Sequence, residues 1–138
     1  MKMHCGSLQE LPRHLIHRDA HTGNMLFEDT GFVGWVDFDH LETNFRIFDV
    51  CYCAAGILSA RFTDTLWRNQ WVLTVRKMME AYGEIVSLVP QEVDAMWIAM
   101  VAIEALFVGV NARRDLEVAE RNASICNWLF EHSSQERL

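Results

Sequence analysis

His17-Arg18-Asp19-Ala20-His21-Thr22-Gly23-Asn24, followed thirteen residues after Asn24 by Asp37-Phe38-Asp39, decides how the rest of this chain is read. An Asp and an Asn five residues apart on a tight loop can face one cavity. There the Asp takes a proton from a hydroxyl and the Asn carbonyl oxygen ligates a hard cation. Mg2+ accepts carboxylate, amide carbonyl, water and phosphate oxygens, so Asn24 and Asp37 are a sufficient protein contribution beside a nucleotide's phosphates. Asp19 is left as the base.

Leu15-Ile16 leads into this polar stretch, and two short apolar runs, Met25–Phe27 and Phe32–Val36, follow it with the look of strands. Between them Glu28-Asp29-Thr30-Gly31 has hairpin-turn composition, with Gly31 free to take positive φ. From about Phe48 the period becomes helical. Trp67, Trp71, Val75, Met78 and Tyr82 mark one face of a helix ending at Gly83. Pro90 suits the first turn of the next helix. That helix is apolar on nearly every side through Val110, which predicts a central, buried position for Ala95–Val110. Leu116, Ala119, Ala123, Cys126 and Phe130 give a last amphipathic helix. The expected fold is α+β and mainly helical: a single domain over 1–138, with an irregular leader at 1–12, catalytic loop and metal-binding hairpin at 13–39, and a bundle of about four helices at 45–132.

The 138 residues suffice for one domain with a real core. With 51% hydrophobic and 22% charged residues, disorder and low-complexity scaffolds are excluded. A formal charge of -7 argues against a nucleic-acid partner. Four cysteines without a C-x-x-C pair, and no apolar signal core behind Met1, fit a reducing cytoplasm. The run Ala95–Val110, interrupted by Glu104, is shorter than the roughly 20 residues a bilayer span requires, so no membrane association is expected.

The loop and hairpin resemble the C-terminal lobe of the aminoglycoside phosphotransferase and choline kinase family of small-molecule kinases, which shares the protein-kinase fold. That family's usual loop, His-Gly-Asp-Leu-His-Pro-Gly-Asn, is kept here at His17, Asp19, His21, Gly23 and Asn24, and its metal motif at Asp37-Phe38-Asp39. A further Asp at a helix start appears as Asp49-Val50-Cys51, with Arg46 three residues before it. The resemblance implies Asp19 as catalytic base, Asn24 and Asp37 as Mg2+ ligands, and Asp49 as a buried brace for the loop. His17 is read as a structural brace of the site. ATP would be the phosphoryl donor and a small hydroxyl compound the acceptor: an aminoglycoside, choline, homoserine or a sugar. Arg18, Ala20 and Thr22 depart from the family loop. Asp39 in place of Gly, and the lack of Ala-Pro-Glu after it, disfavour a protein kinase.

His4, Cys5, His14, His17 and His21 match no common zinc spacing. Cys51 and Cys53 are expected as buried thiols on different helix faces, and Trp67, Trp71 and Trp97 as core rather than a cage for a quaternary ammonium. Glu42, Glu104 and Asp115 form a weak signal for an acidic pocket. Such kinases also need a phosphate-covering loop and a strand-borne Lys, and neither is found in this sequence, where only Lys2 precedes His17 and no G-x-G-x-x-G occurs. The expectation is a truncated kinase, weak or inactive alone, binding Mg2+ and ATP poorly. The alternative is a non-catalytic kinase-lobe protein that binds a partner or metabolite. A boundary at the missing lobe would expose apolar side chains of Leu15-Ile16 and Phe32–Val36, which predicts a homodimer over that surface.

Overall fold

The computed structural model describes residues 5–133. It opens on a 3-10 helix, Cys5–Glu10, inside the segment expected to be irregular. Strand β1, Arg13–Ile16, then pairs antiparallel with β4, Glu42–Phe45, in the register Arg13 to Phe45 and Ile16 to Glu42. Everything between them is an excursion closed at its base by that two-stranded clamp. The excursion holds the His17–Asn24 loop, expected to be catalytic, and a hairpin of β2, Met25–Glu28, and β3, Gly31–Trp35. Gly31 turns the hairpin at φ 116°, a conformation a side chain would strain. The clamp itself went unread, because neither four-residue strand alternates clearly.

Four helices follow: α1, Phe48–Ala60; α2, Thr65–Ile85; α3, Pro90–Asn111; and α4, Leu116–His132. Asp64 caps α2 by accepting the Trp67 N–H at 3.0 Å, and this bond, the largest cause, holds its carboxyl below the usual range. Asp115 caps α4 through the Val118 N–H at 3.1 Å. Helix α2 runs two residues past Gly83, which stays helical instead of taking the left-handed conformation of a cap.

The core joins Ile47, Cys51, Ala54 and Leu58 with Trp71 and Val75 of α2, Met96, Met100 and Ile103 of α3, and Ile125 and Leu129 of α4. The Trp71 indole meets Trp97 and Trp128 edge-on at 6.0 and 5.7 Å and donates its N–H to Ala54 O at 2.8 Å. Trp71 and Trp97 are thus core residues, and Cys51 and Cys53 are both buried. Burial pushes the Cys51 thiol up to about 12.

Two expectations change. Helix α3 is buried from Ala95 to Glu104 except at the half-buried Ile98 and Val101 and the exposed Ala102, but Ala105, Leu106, Gly109 and Val110 are exposed, so the central position holds only for its first part. The helix is also longer than the apolar run: at 22 residues it is long and apolar enough to cross a membrane, while 39% of its most apolar window is buried within the fold. In α4 the buried face is Ala119, Asn122, Ile125 and Leu129, whereas Leu116 and Phe130 face outward. Apolar spacing misplaced that face because the polar Asn122 is buried by pairing with Glu104.

Candidate functional site

The His17–Asn24 loop is held by hydrogen bonds more than by apolar packing. Asp49, in the first turn of α1, accepts the His17 N–H on one carboxylate oxygen and the Arg18 N–H on the other, both at 2.8 Å. The helix N-terminus favours that negative charge. His17 is buried between the rings of Trp35 and Phe38, at centroid distances of 5.4 and 4.9 Å, and donates from Nε2 to the Val36 carbonyl at 2.9 Å. It thereby ties the start of the loop to the end of β3. Arg18 sits at φ 70° with its guanidinium 3.4 Å from Glu42 of the clamp.

Asp19 is gripped on both carboxylate oxygens. The Tyr52 hydroxyl donates to Oδ1 at 2.8 Å, and the Asn24 amide donates at 3.0 Å to Oδ2 and again to the Asp19 carbonyl. His21 Nε2 lies 3.5 Å from Oδ2, while its Nδ1 accepts the Gly23 N–H. At Gly23 an added Cβ would stand 2.7 Å from the His21 ring and would force that ring to move. Burial, reinforced by the bond to Asp19, pushes the Tyr52 phenol up.

Asn24 and Asp37 are neighbours through the backbone, since Val36 N–H donates to Asn24 O at 3.0 Å. The Asn24 amide nitrogen is committed to Asp19, which leaves its carbonyl oxygen as the ligating end. Asp37 is exposed, makes no hydrogen bond or ion pair among the described residues, and is held at φ 64°, a left-handed conformation costly for a residue with Cβ. One amide oxygen and one carboxylate are hard donors of the kind Mg2+ takes, so these residues fit that ion. Among the described residues no three His, Cys, Asp or Glu side chains gather as a metal cluster. Of the histidine and cysteine set considered for zinc, His4 lies outside the described residues.

A cleft of about 400 Å3 reaches His21 and Tyr52, the two side chains that contact Asp19, while Asp19 itself does not line it. It is lined by His21, Tyr52, Glu104, Phe107, Arg121 and Asn122, with the Phe107 ring against Tyr52 at 5.9 Å. The acidic trio does not converge on it. Glu42 pairs with Arg18 and Asn44, Asp115 caps α4, and only Glu104 lines the cleft.

Three polar contacts around the site are not legible in the sequence pattern. Tyr52 lies one helical turn after Asp49, so both reach the loop from one face of α1, and that spacing was the available signal. Glu92, fully buried, accepts two bonds from the Arg46 guanidinium at 2.7 and 2.6 Å and one from Val89 N–H. The grip of Arg46 holds its carboxyl below the usual range. Asn122 was hidden by its polarity. A family model described as Phosphotransferase enzyme family matches residues 4–95. No curated protein and no solved structure matches the chain.

Proposed function

The chain belongs to the phosphotransferase enzyme family, and from that premise we propose that it is a small-molecule kinase lobe, moving the γ-phosphate of ATP to a hydroxyl of a small acceptor. The observation that carries the reading is the Asp19 carboxylate, oriented by Asn24 and by Tyr52, which itself lines a cleft of acceptor size. In the step, Asp19 takes the proton of the acceptor hydroxyl as that oxygen bonds to the γ-phosphorus. The bond to the β,γ-bridging oxygen breaks, and its electron pair leaves with the nucleoside diphosphate. Asn24 and Asp37 would hold Mg2+, which offsets phosphate charge when bound. Asp49 and His17 keep the loop in register with β3. Positioning supplies most of the rate in phosphoryl transfer, so Asp49 matters although it touches no reacting atom.

The test is ATP-dependent phosphorylation of hydroxylated acceptors, by the chain alone and with a nucleotide-binding lobe supplied in cis or in trans. Little turnover is expected alone, and turnover dependent on Asp19 and Asp37 once the lobe is present. Asp19→Asn keeps the shape and removes the base; full activity in that variant overturns the assignment. A second copy covering the apolar hairpin is proposed as partner.

A further inference from the structure

Among the described residues two that are not glycine take positive φ, Arg18 at 70° and Asp37 at 64°. Cβ crowds the backbone in that conformation, which persists where neighbouring contacts impose it. The two residues stand on the two arms of the excursion. Arg18 opens the arm that carries Asp19, and Asp37 lies on the arm that returns to the clamp at Glu42. The backbone turn at Arg18 lets two successive N–H groups, those of His17 and Arg18, reach the Asp49 carboxylate, and it delivers Asp19 to Tyr52 and Asn24.

Side chains tie the arms together at two points. His17 Nε2 donates to the Val36 carbonyl at 2.9 Å, and Arg18 Nε lies 3.4 Å from Glu42 Oε1. Glu42 is the first residue of β4 and stands opposite the buried Ile16 in the clamp, so it is anchored on the end of β1. The same carboxylate oxygen accepts the Asn44 amide at 2.7 Å, and the Asn44 side-chain oxygen accepts the Phe45 N–H at 2.9 Å, which fixes the carboxylate in place. With side chains 50% and 34% exposed, the ion pair adds too little stability to account for a residue with Cβ at φ 70°. Stability alone would place glycine there, since glycine takes this conformation freely.

Resting on the phosphotransferase reading of Asp19, we propose that Arg18 is a positioning residue. Through Glu42 it fastens the arm bearing the base to the arm bearing Asp37, and so sets the spacing at which Asp19 and the metal ligand act on one phosphoryl group. In this role Arg18 touches no reacting atom. Its effect passes through the backbone turn that aims Asp19, so in turnover it falls on kcat and leaves KM alone.

Amide hydrogen exchange on the 138-residue chain tests the tie, with the His21 N–H as reporter because it donates to the Asp19 carbonyl at 2.9 Å. Arg18→Gln keeps the backbone strain and removes the charge. It should quicken exchange at His21 about three-fold, the scale of an exposed ion pair, and leave the helices as they are. Glu42→Gln, made on the other arm, should quicken the same amide as much, and the double variant no more than either. Arg18→Lys should keep the slow exchange. Arg18→Gly removes the tie and the strain together, so it should quicken His21 without lowering the thermal midpoint. A His21 rate unchanged in Arg18→Gln or in Glu42→Gln, additive effects in the double variant, or Arg18→Lys exchanging as fast as Arg18→Gln would each overturn the proposal. So would a midpoint that falls in Arg18→Gly, the mark of a merely structural brace. Turnover with a nucleotide-binding lobe supplied is scored apart. A lower kcat at constant KM in Arg18→Gln supports the positioning role, and an unchanged kcat beside quickened exchange overturns it. Absence of Asp19-dependent turnover in the unaltered chain brings down the kinase reading, while the exchange rates still decide the tie.

Discussion

The β2–β3 hairpin and the helical bundle are both rich in apolar residues and are buried to opposite extents. In the hairpin Leu26, Phe27, Phe32 and Val33 are exposed, Phe27 by 63%; in the bundle Ile47, Leu58, Trp71, Met96, Met100, Ile125 and Leu129 are all closed off. The hairpin sits at the end of an excursion held at its base by β1–β4, and each of its strands finds its main partner in the other. The helices instead interleave across several neighbours. Apolar content therefore says that a surface is to be covered, and the path of the chain says whether the chain itself covers it. Between the two regions, the His17–Asn24 loop depends less on packing, because Asp49, Tyr52 and Asn24 fix it through directed hydrogen bonds.

The largest effect is expected where the bundle is densest. Trp71→Ala empties a fully buried site and removes the indole bond to the Ala54 carbonyl, so unfolding free energy should fall by about 3–5 kcal/mol, read from denaturant midpoints. A fall under about 1 kcal/mol would mean that the bundle relaxes as freely as the hairpin. Asp49→Ala comes next. It strips partners from the His17 and Arg18 N–H groups, with an expected loss of about 2 kcal/mol and faster hydrogen exchange at those two amides while the bundle's protection persists. Uniform loss of protection would show that the loop and the bundle unfold as one unit.

Legibility in the sequence follows the same division. Pro90 marked the start of α3, the apolar spacing found α2 and the beginning of α4, and Gly31 located the hairpin turn, all because the cause is local. The β1–β4 clamp joins segments about thirty residues apart whose own patterns are weak, so nothing local announces it. The buried polar pairs are of the same kind. Glu92 is inside because Arg46 meets it from before α1, and Asn122 because Glu104 meets it from α3. The loop residues were legible as a motif; their grip on Asp19 by Tyr52 was not, since one side chain from α1 supplies it.

Those two glutamates sharpen the comparison within one helix. The carboxyl of Glu92 lies below its ordinary value of 4.5 in the fold, so its contribution is present above that value and is lost as pH falls through the lowered one. Glu104 is raised, so its ionisation costs stability as pH climbs from 4.5 through the raised value. Thermal midpoints should therefore lose part of their acid-side fall in Glu92→Gln and part of their decline above 4.5 in Glu104→Gln. The two slopes have opposite signs and lie on opposite sides of 4.5, so each is read in its own pH window. Profiles that move in the same direction would refute the assignment of one carboxyl to an ion pair and the other to plain burial.

The smallest effect on stability is expected in the hairpin, and it carries the most information about what covers that surface. Phe27 and Phe32 face each other across the strands at 5.8 Å, but both remain in water, so Phe32→Ser should change unfolding free energy by about 0.5 kcal/mol or less. Association is another matter. Leu15, Phe32, Val33 and Val36 are exposed as expected, although Ile16 is buried at the clamp, and the hairpin face continues over Met78 and Tyr82 to Ile85, which is 87% exposed. A continuous apolar surface of this kind favours a second copy, because a two-fold arrangement covers both patches at once. Sedimentation at micromolar concentration should show dimers for the unaltered chain and weaker association for Phe32→Ser, with the thermal midpoint almost unchanged in dilute solution. A chain that stays monomeric removes the second copy as the cover. A dimer indifferent to Phe32→Ser moves the interface away from the hairpin, toward the exposed end of α3 at Leu106 and Val110.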